Sequence, residues 1–157
     1  MKFAFYILET KPPAWVETAR REYETKIGGV IGFENKTFKN PTAHRGVADE
    51  KTRLESEKLL AEIDDRDLLV LFDEKGKAWK SSEDFAAALG RARESGKARV
   101  VFVIGGPYGF DDRVRRRAQN QWSLSGLTMN HWIAQLMALE QIYRGLTIVK
   151  GVPYHNR

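Results

Sequence analysis

The residue types able to do chemistry gather in the last third of the chain: Ser125, Thr128, His131, Arg144, Tyr154 and His155, with Gly105, Gly106 and Gly126 among them. Hydroxyls, imidazoles and a guanidinium in that company suit proton handling and charge stabilisation around a bound ligand. Metal chemistry is not expected, because no His/Asp/Glu spacing matches a metal site and cysteine is absent. Two glycine-bearing segments carry the signal. Ile104-Gly105-Gly106-Pro107-Tyr108-Gly109 follows an apolar run and precedes a helix start, so a ligand can approach its backbone and use its free N–H groups. It is neither a G-x-G-x-x-G fingerprint nor a phosphate loop ending in Lys-Ser/Thr. The second segment, Ser123 to Thr128, is a compact turn offering backbone and hydroxyl groups. Each alone is equally well a tight turn or a helix cap. If they converge with Phe72-Asp73, they form an apolar-walled pocket suited to a neutral heterocycle such as adenine.

The elements that must position these residues follow from the apolar pattern. Phe3 to Leu8 reads as a buried strand, and Lys11-Pro12-Pro13 opens a helix over Ala14 to Lys26. Val30 to Phe38 alternates as a second strand, Asn40 to Gly46 is a loop, and Val47 to Ile63 is a charged helix with a sparse apolar stripe. The continuous apolar runs Asp67 to Asp73 and Arg99 to Ile104 read as strands buried on both faces. Between them Glu74-Lys75-Gly76-Lys77 reads as a turn, and Ser81 to Asp84 caps a helix running to about Glu94. Asp111-Asp112 caps a short basic helix, Trp122 to Leu124 is a last strand, and His131 to about Leu146 is the closing helix. That helix is apolar on two adjoining stripes, which suggests a buried helix or a subunit interface. Strands alternating with helices predict one α/β domain over residues 1–157, with a largely parallel central sheet. Ligands bind such sheets at the carboxyl ends of their strands.

Composition sets the outer limits. The chain has 157 residues, 42% of them hydrophobic and 30% charged, which is an ordinary globular composition. No run approaches the length needed to span a bilayer, and the apolar start is too short for a signal peptide. A cytoplasmic protein without membrane partners is expected. The net charge of +5 comes from 26 Lys and Arg against 21 Asp and Glu. Arg113, Arg115, Arg116 and Arg117 cluster after the glycine loop and, with Arg45, are candidate contacts to a polyanion such as RNA. A solvated helix face accounts equally well for the cluster. The tail Pro153-Tyr154-His155-Asn156-Arg157 would ordinarily fray, but Tyr, His and Arg also stack on and hydrogen-bond to unpaired bases.

The segments IGGPYGF, WSLSGLTMNH, LEQIYRG and the terminal PYH, together with KPPAWV and LFDEKGKAW, resemble the RlmH family of SPOUT-class methyltransferases along the whole chain. The resemblance implies an S-adenosylmethionine-dependent enzyme that methylates N3 of a pseudouridine in 23S ribosomal RNA. It implies a homodimer whose C-terminal part, approximately residues 100–157, forms a trefoil knot around the cofactor, an exception to unknotted topology. The cofactor site it implies comprises Phe72, Gly105, Gly106, Leu124, Ser125, Gly126, Leu127, Thr128 and Met129. His131, Arg144, Tyr154 and His155 become the catalytic candidates, with His155 or Tyr154 taking the N3 proton and Arg144 stabilising charge on the flanking carbonyls. Asn130 and Gln135 stand where the family has Pro and Arg. Competing expectations are a SPOUT enzyme acting on another RNA such as tRNA, a non-catalytic RNA- or ribosome-binding module of the same fold, and a Rossmann-type nucleotide-binding domain. The missing dinucleotide fingerprint argues against the last.

Overall fold

The two continuous apolar runs become the centre of the sheet. A computed structural model describes residues 1–8, 11–38, 48–106 and 108–156. Its strands are β1 (Lys2–Leu8), β2 (Gly32–Phe38), β3 (Asp67–Lys77), β4 (Arg99–Ile104) and β5 (Asn120–Trp122). Its helices are α1 (Ala14–Gly28), α2 (Ala48–Ala61), α3 (Ser82–Arg93), α4 (Asp112–Arg117) and α5 (His131–Lys150). The strand order is β2-β1-β4-β3-β5 and every pairing is parallel, so all strand carboxyl ends open onto one edge.

Helices cover both faces, as a parallel sheet requires. Phe3, Phe5, Val70, Val100 and Phe102 point to the face where Phe85 and Leu89 of α3 and Leu139 and Ile142 of α5 complete the core. On the other face Ala4, Leu69, Leu71, Val101 and Val103 pack with Leu59 of α2 and Val114 of α4. α5 lies against both α3 and α1. The caps fall where the sequence puts them: Ser81 accepts from the Asp84 N–H at 3.1 Å, and Asp111 from that of Val114 at 3.1 Å. Asn130 caps α5 by accepting from the Trp132 N–H at 2.8 Å. α5 ends at Gly151, whose φ of 70° is the left-handed turn that glycine adopts without strain.

The segment Glu74 to Lys77 is a correction. The turn expected there is strand: β3 continues to Lys77, which pairs with Trp122 of β5 after an irregularity, and the Ser123 N–H donates to the Lys77 carbonyl at 2.9 Å. Gly76 is not a turn residue but a point of contact. A Cβ built on it would stand 2.6 Å from the Gln121 carbonyl carbon and oxygen and from the Trp122 nitrogen. β5 itself lies at Asn120–Trp122, two residues earlier than expected, and is a three-residue edge strand paired with β3 alone. The expected loop Asn40 to Gly46, and with it Arg45, lies outside the described residues.

Candidate active site

Three strand ends present the cofactor candidates side by side. Phe72 sits at the β3 end of the apolar run, Gly105 follows β4, and Ser123 and Leu124 follow β5, on adjacent strands of the sheet. Phe72 is buried and belongs to an aromatic cluster with Phe102 and Trp122, ring centroids 6.0 and 6.4 Å away. The glycine loop is tighter than a ligand-approach reading requires. A Cβ on Gly105 would meet the Phe110 ring at 3.0 Å, and one on Gly106 the Glu55 carboxylate at 2.8 Å. A side chain at 105 would force the Phe110 ring to give way, and one at 106 would displace the flexible end of Glu55.

The turn after β5 is open by contrast. No atom lies within 4 Å of a Cβ on Gly126, and Leu127 is 79% exposed. The turn is braced from within: Ser123 Oγ donates to the Ser125 carbonyl at 3.0 Å, and Ser125 Oγ accepts from the Leu127 N–H at 2.9 Å. Thr128 is exposed and Met129 half-buried as the chain enters α5. Beside the turn, Trp79, Ser82, Phe85, Ser123, Leu124 and Gln141 line a cavity of about 150 Å³. Trp79 Nε1 is buried with no hydrogen-bond partner among the described residues.

The tail is held along α5. Arg144 donates from Nε and Nη2 to Glu140 Oε1, at 3.0 and 2.6 Å, and from Nη1 to His155 Nδ1 at 3.0 Å. A guanidinium only donates, so His155 Nδ1 is the acceptor and the ring proton sits on Nε2, which donates to Glu83 Oε1 at 3.2 Å. Tyr154 donates to Glu140 at 3.1 Å, lies edge-on to Tyr143 and has the Arg144 guanidinium over its ring at 4.9 Å. Burial, then the Glu140 carboxylate, push the Tyr154 hydroxyl up to about 12. Arg144, Tyr154 and His155 thus form one network, joined to α3 through Glu83 and to the wall of the cavity through Gln141, which donates to Glu140.

His131 stands apart. It is the first residue of α5, thirteen positions before Arg144, or about 20 Å along the axis. Its ring lies 5.5 Å from that of Trp132, beside the turn rather than the tail. Gln135 is fully buried and accepts from Arg20 Nη1 of α1 at 3.3 Å.

The basic cluster is largely committed to the protein itself. Arg113 pairs with Asp111 at 2.8 Å and Arg115 with Asp73 at 3.0 Å, while Arg117 donates to the carbonyls of Asp64 and Asp67. Arg116 is the exception, exposed and without a hydrogen bond or ion pair among the described residues. The sequence reading missed Glu83 and Glu140. Glu140 was legible as the i,i+4 partner of Arg144, whereas Glu83 looked like an ordinary first-turn acid of α3. Among the described residues no cluster of three potential metal ligands occurs, and no helix is long and apolar enough to cross a membrane.

Comparison with known proteins fits these features. Residues 1–155 match a family model described as predicted SPOUT methyltransferase. A protein of Bdellovibrio bacteriovorus named ribosomal RNA large subunit methyltransferase H is 41% identical over 156 residues, covering 99% of both chains. One of the same name from Christiangramia forsetii is 44% identical over 143 residues, 90% of each. In fold, a methylase family protein from Neisseria gonorrhoeae superposes with a TM-score of 0.52 at 15% identity, over 99% of this chain and 86% of that one. The chain belongs to the SPOUT methyltransferase family, alongside relatives named ribosomal RNA large subunit methyltransferase H.

Proposed function

We propose that this methyltransferase uses S-adenosylmethionine to methylate N3 of a pseudouridine in 23S ribosomal RNA, working in the cytoplasm as a homodimer with a C-terminal trefoil knot. The observation that carries this reading is the 41% identity, over nearly the whole of both chains, to a protein named for large-subunit ribosomal RNA methylation. The residues present fit the cofactor. The open Gly126 turn, the aromatic wall of Trp79 and Phe85 and the unpaired Trp79 Nε1 donor suit a heterocycle with acceptor nitrogens. Phe72, Gly105, Gly106 and Leu124 to Met129 are its proposed contacts.

When bound, S-adenosylmethionine supplies a methyl group already activated on a sulfonium, so the protein's task is to place and deprotonate the base. Tyr154, held near 12, keeps its proton at neutral pH and acts as a donor rather than a base. His155 is the better proton acceptor of the two, once Nδ1 is released from Arg144. Arg144, freed by the same movement, faces the carbonyl oxygens flanking N3 and stabilises the charge they gain. His131, next to the turn, orients the donor side of the site. Exposed Trp15 on α1 and Ile133 on α5, with exposed Leu127 in the turn before α5, support a second copy packing on this layer.

Incubating the protein with ribosomes and labelled cofactor, then mapping the label, tests the reading. The expected outcome is label at one pseudouridine of 23S RNA. Label on tRNA instead would select the other SPOUT reading, and no label on any RNA would refute methyl transfer to RNA.

A further inference from the structure

Three acids are buried among the described residues, and two of them are paired: Asp67 with Arg99 at 2.6 Å and Asp73 with Arg115 at 3.0 Å. The third, Glu55 of α2, is 7% exposed and makes no hydrogen bond or ion pair with any described residue. Its oxygens are not among the fully buried, partnerless polar atoms of the described residues, so they keep a small opening by which a cation reaches them. Its place is specific. Both carboxylate oxygens press on Gly106 at the carboxyl end of β4, 2.8 and 3.0 Å from where a Cβ would stand. Any larger residue at 106 would push the acid off the loop.

We propose that the Glu55 carboxylate is the counter-charge for the sulfonium of the methyl donor bound at the Gly105–Gly106 loop, a role that rests on the function proposed above. The bound donor is a cation, and its demethylated product, a thioether, is neutral at that atom. A fixed negative charge at this loop therefore favours the donor over the product and helps release the latter after transfer. The charges around the acid leave it available. Lys51 and Lys58 lie on its own helix and act at a distance, while Arg113 of α4 is paired with Asp111, the cap of that helix. Burial holds the carboxyl above its usual range, so a cation arriving beside it favours ionisation.

Calorimetric binding to the intact protein and to Glu55→Gln separates this role from simple packing. Three probes are used: S-adenosylmethionine, S-adenosylhomocysteine, and the analogue carrying an ammonium in place of the sulfonium. Glu55→Gln should bind the two cations about tenfold more weakly and the neutral thioether within about twofold of the unaltered protein. An equal loss for all three, or no loss for the cations, would overturn the role. If Glu55→Gln does not fold, infrared difference spectra of the unaltered protein with isotope-labelled glutamate decide. A change in the carboxyl and carboxylate stretches produced by the cations and absent with the thioether supports the proposal, and a spectrum the cations leave unchanged overturns it. Failure of the unaltered protein to bind the cofactor at all would instead strike the methyltransferase reading itself.

Discussion

Gly76→Ala should unseat β5. The new Cβ would lie 2.6 Å from three backbone atoms of Gln121 and Trp122, and ordinary contact begins at 3.4 Å, so the strands must part by at least about 0.8 Å. Backbone atoms cannot rotate aside as a side-chain end could. Overpacking of this kind costs about 1–3 kcal/mol. The separation also weakens the Ser123 to Lys77 hydrogen bond, of order 1 kcal/mol. A loss of about 2–4 kcal/mol corresponds, for a domain of this size, to a fall in Tm of roughly 5–15 °C. Because β5 leads directly into the Ser123–Met129 turn, cofactor affinity should fall with stability. Thermal unfolding and calorimetry measure the two, with Gly126→Ala, which meets nothing within 4 Å, as the control for stability. A Gly76→Ala protein with unaltered Tm and affinity would refute the account of β3 and β5.

Other perturbations probe the tail and the basic cluster. Glu140→Gln removes the anchor of Arg144 and Tyr154; on this partly exposed pair it should cost stability only about 1 kcal/mol or less. It should lower methyl transfer at least tenfold and bring the Tyr154 hydroxyl titration, followed by ultraviolet absorbance, down from about 12. Since the folded tyrosine holds its proton more tightly than its ordinary value of 10.0 allows, its contribution to stability is complete below pH 10 and is lost between pH 10 and about 12. Denaturant titrations should show that loss, and Tyr154→Phe should make it shallower, with the remainder coming partly from buried Tyr6. Arg116→Glu should weaken ribosomal RNA binding without changing Tm. Arg117→Ala, which strips donors from two carbonyls, should lower Tm instead.

Much of the fold was legible because its signals are local. Arg99–Ile104 is a run that only a doubly covered strand explains, and Ser81 and Asp111 cap the helices they precede. Gly76 was misread because glycine signals a turn and a close backbone approach with the same letter, and only the position of β5 tells them apart. The tail of the candidate site was visible through resemblance, while Glu140 was missed although its i,i+4 spacing to Arg144 offered a signal. Glu83 and Glu55 offered none, since one meets its partner 72 residues away and the other is defined by a glycine 51 positions on. The internal partners of the arginine cluster were hidden for a related reason. Asp73 and the carbonyls of Asp64 and Asp67, remote in sequence, occupy Arg115 and Arg117.

The brevity of β5 has a dynamic consequence. With three residues at the sheet edge, and β3 as its one neighbour in the sheet, it belongs among the elements that open locally long before the molecule unfolds. The amides of Gln121, Trp122 and Ser123 should therefore exchange with solvent hydrogen far faster than those of β4 at the centre. A ligand seated on the turn after β5 closes those openings, so the exchange rate of three amides becomes a gauge of occupancy. The same looseness gives the ligand a route in and out that requires no rearrangement of the core.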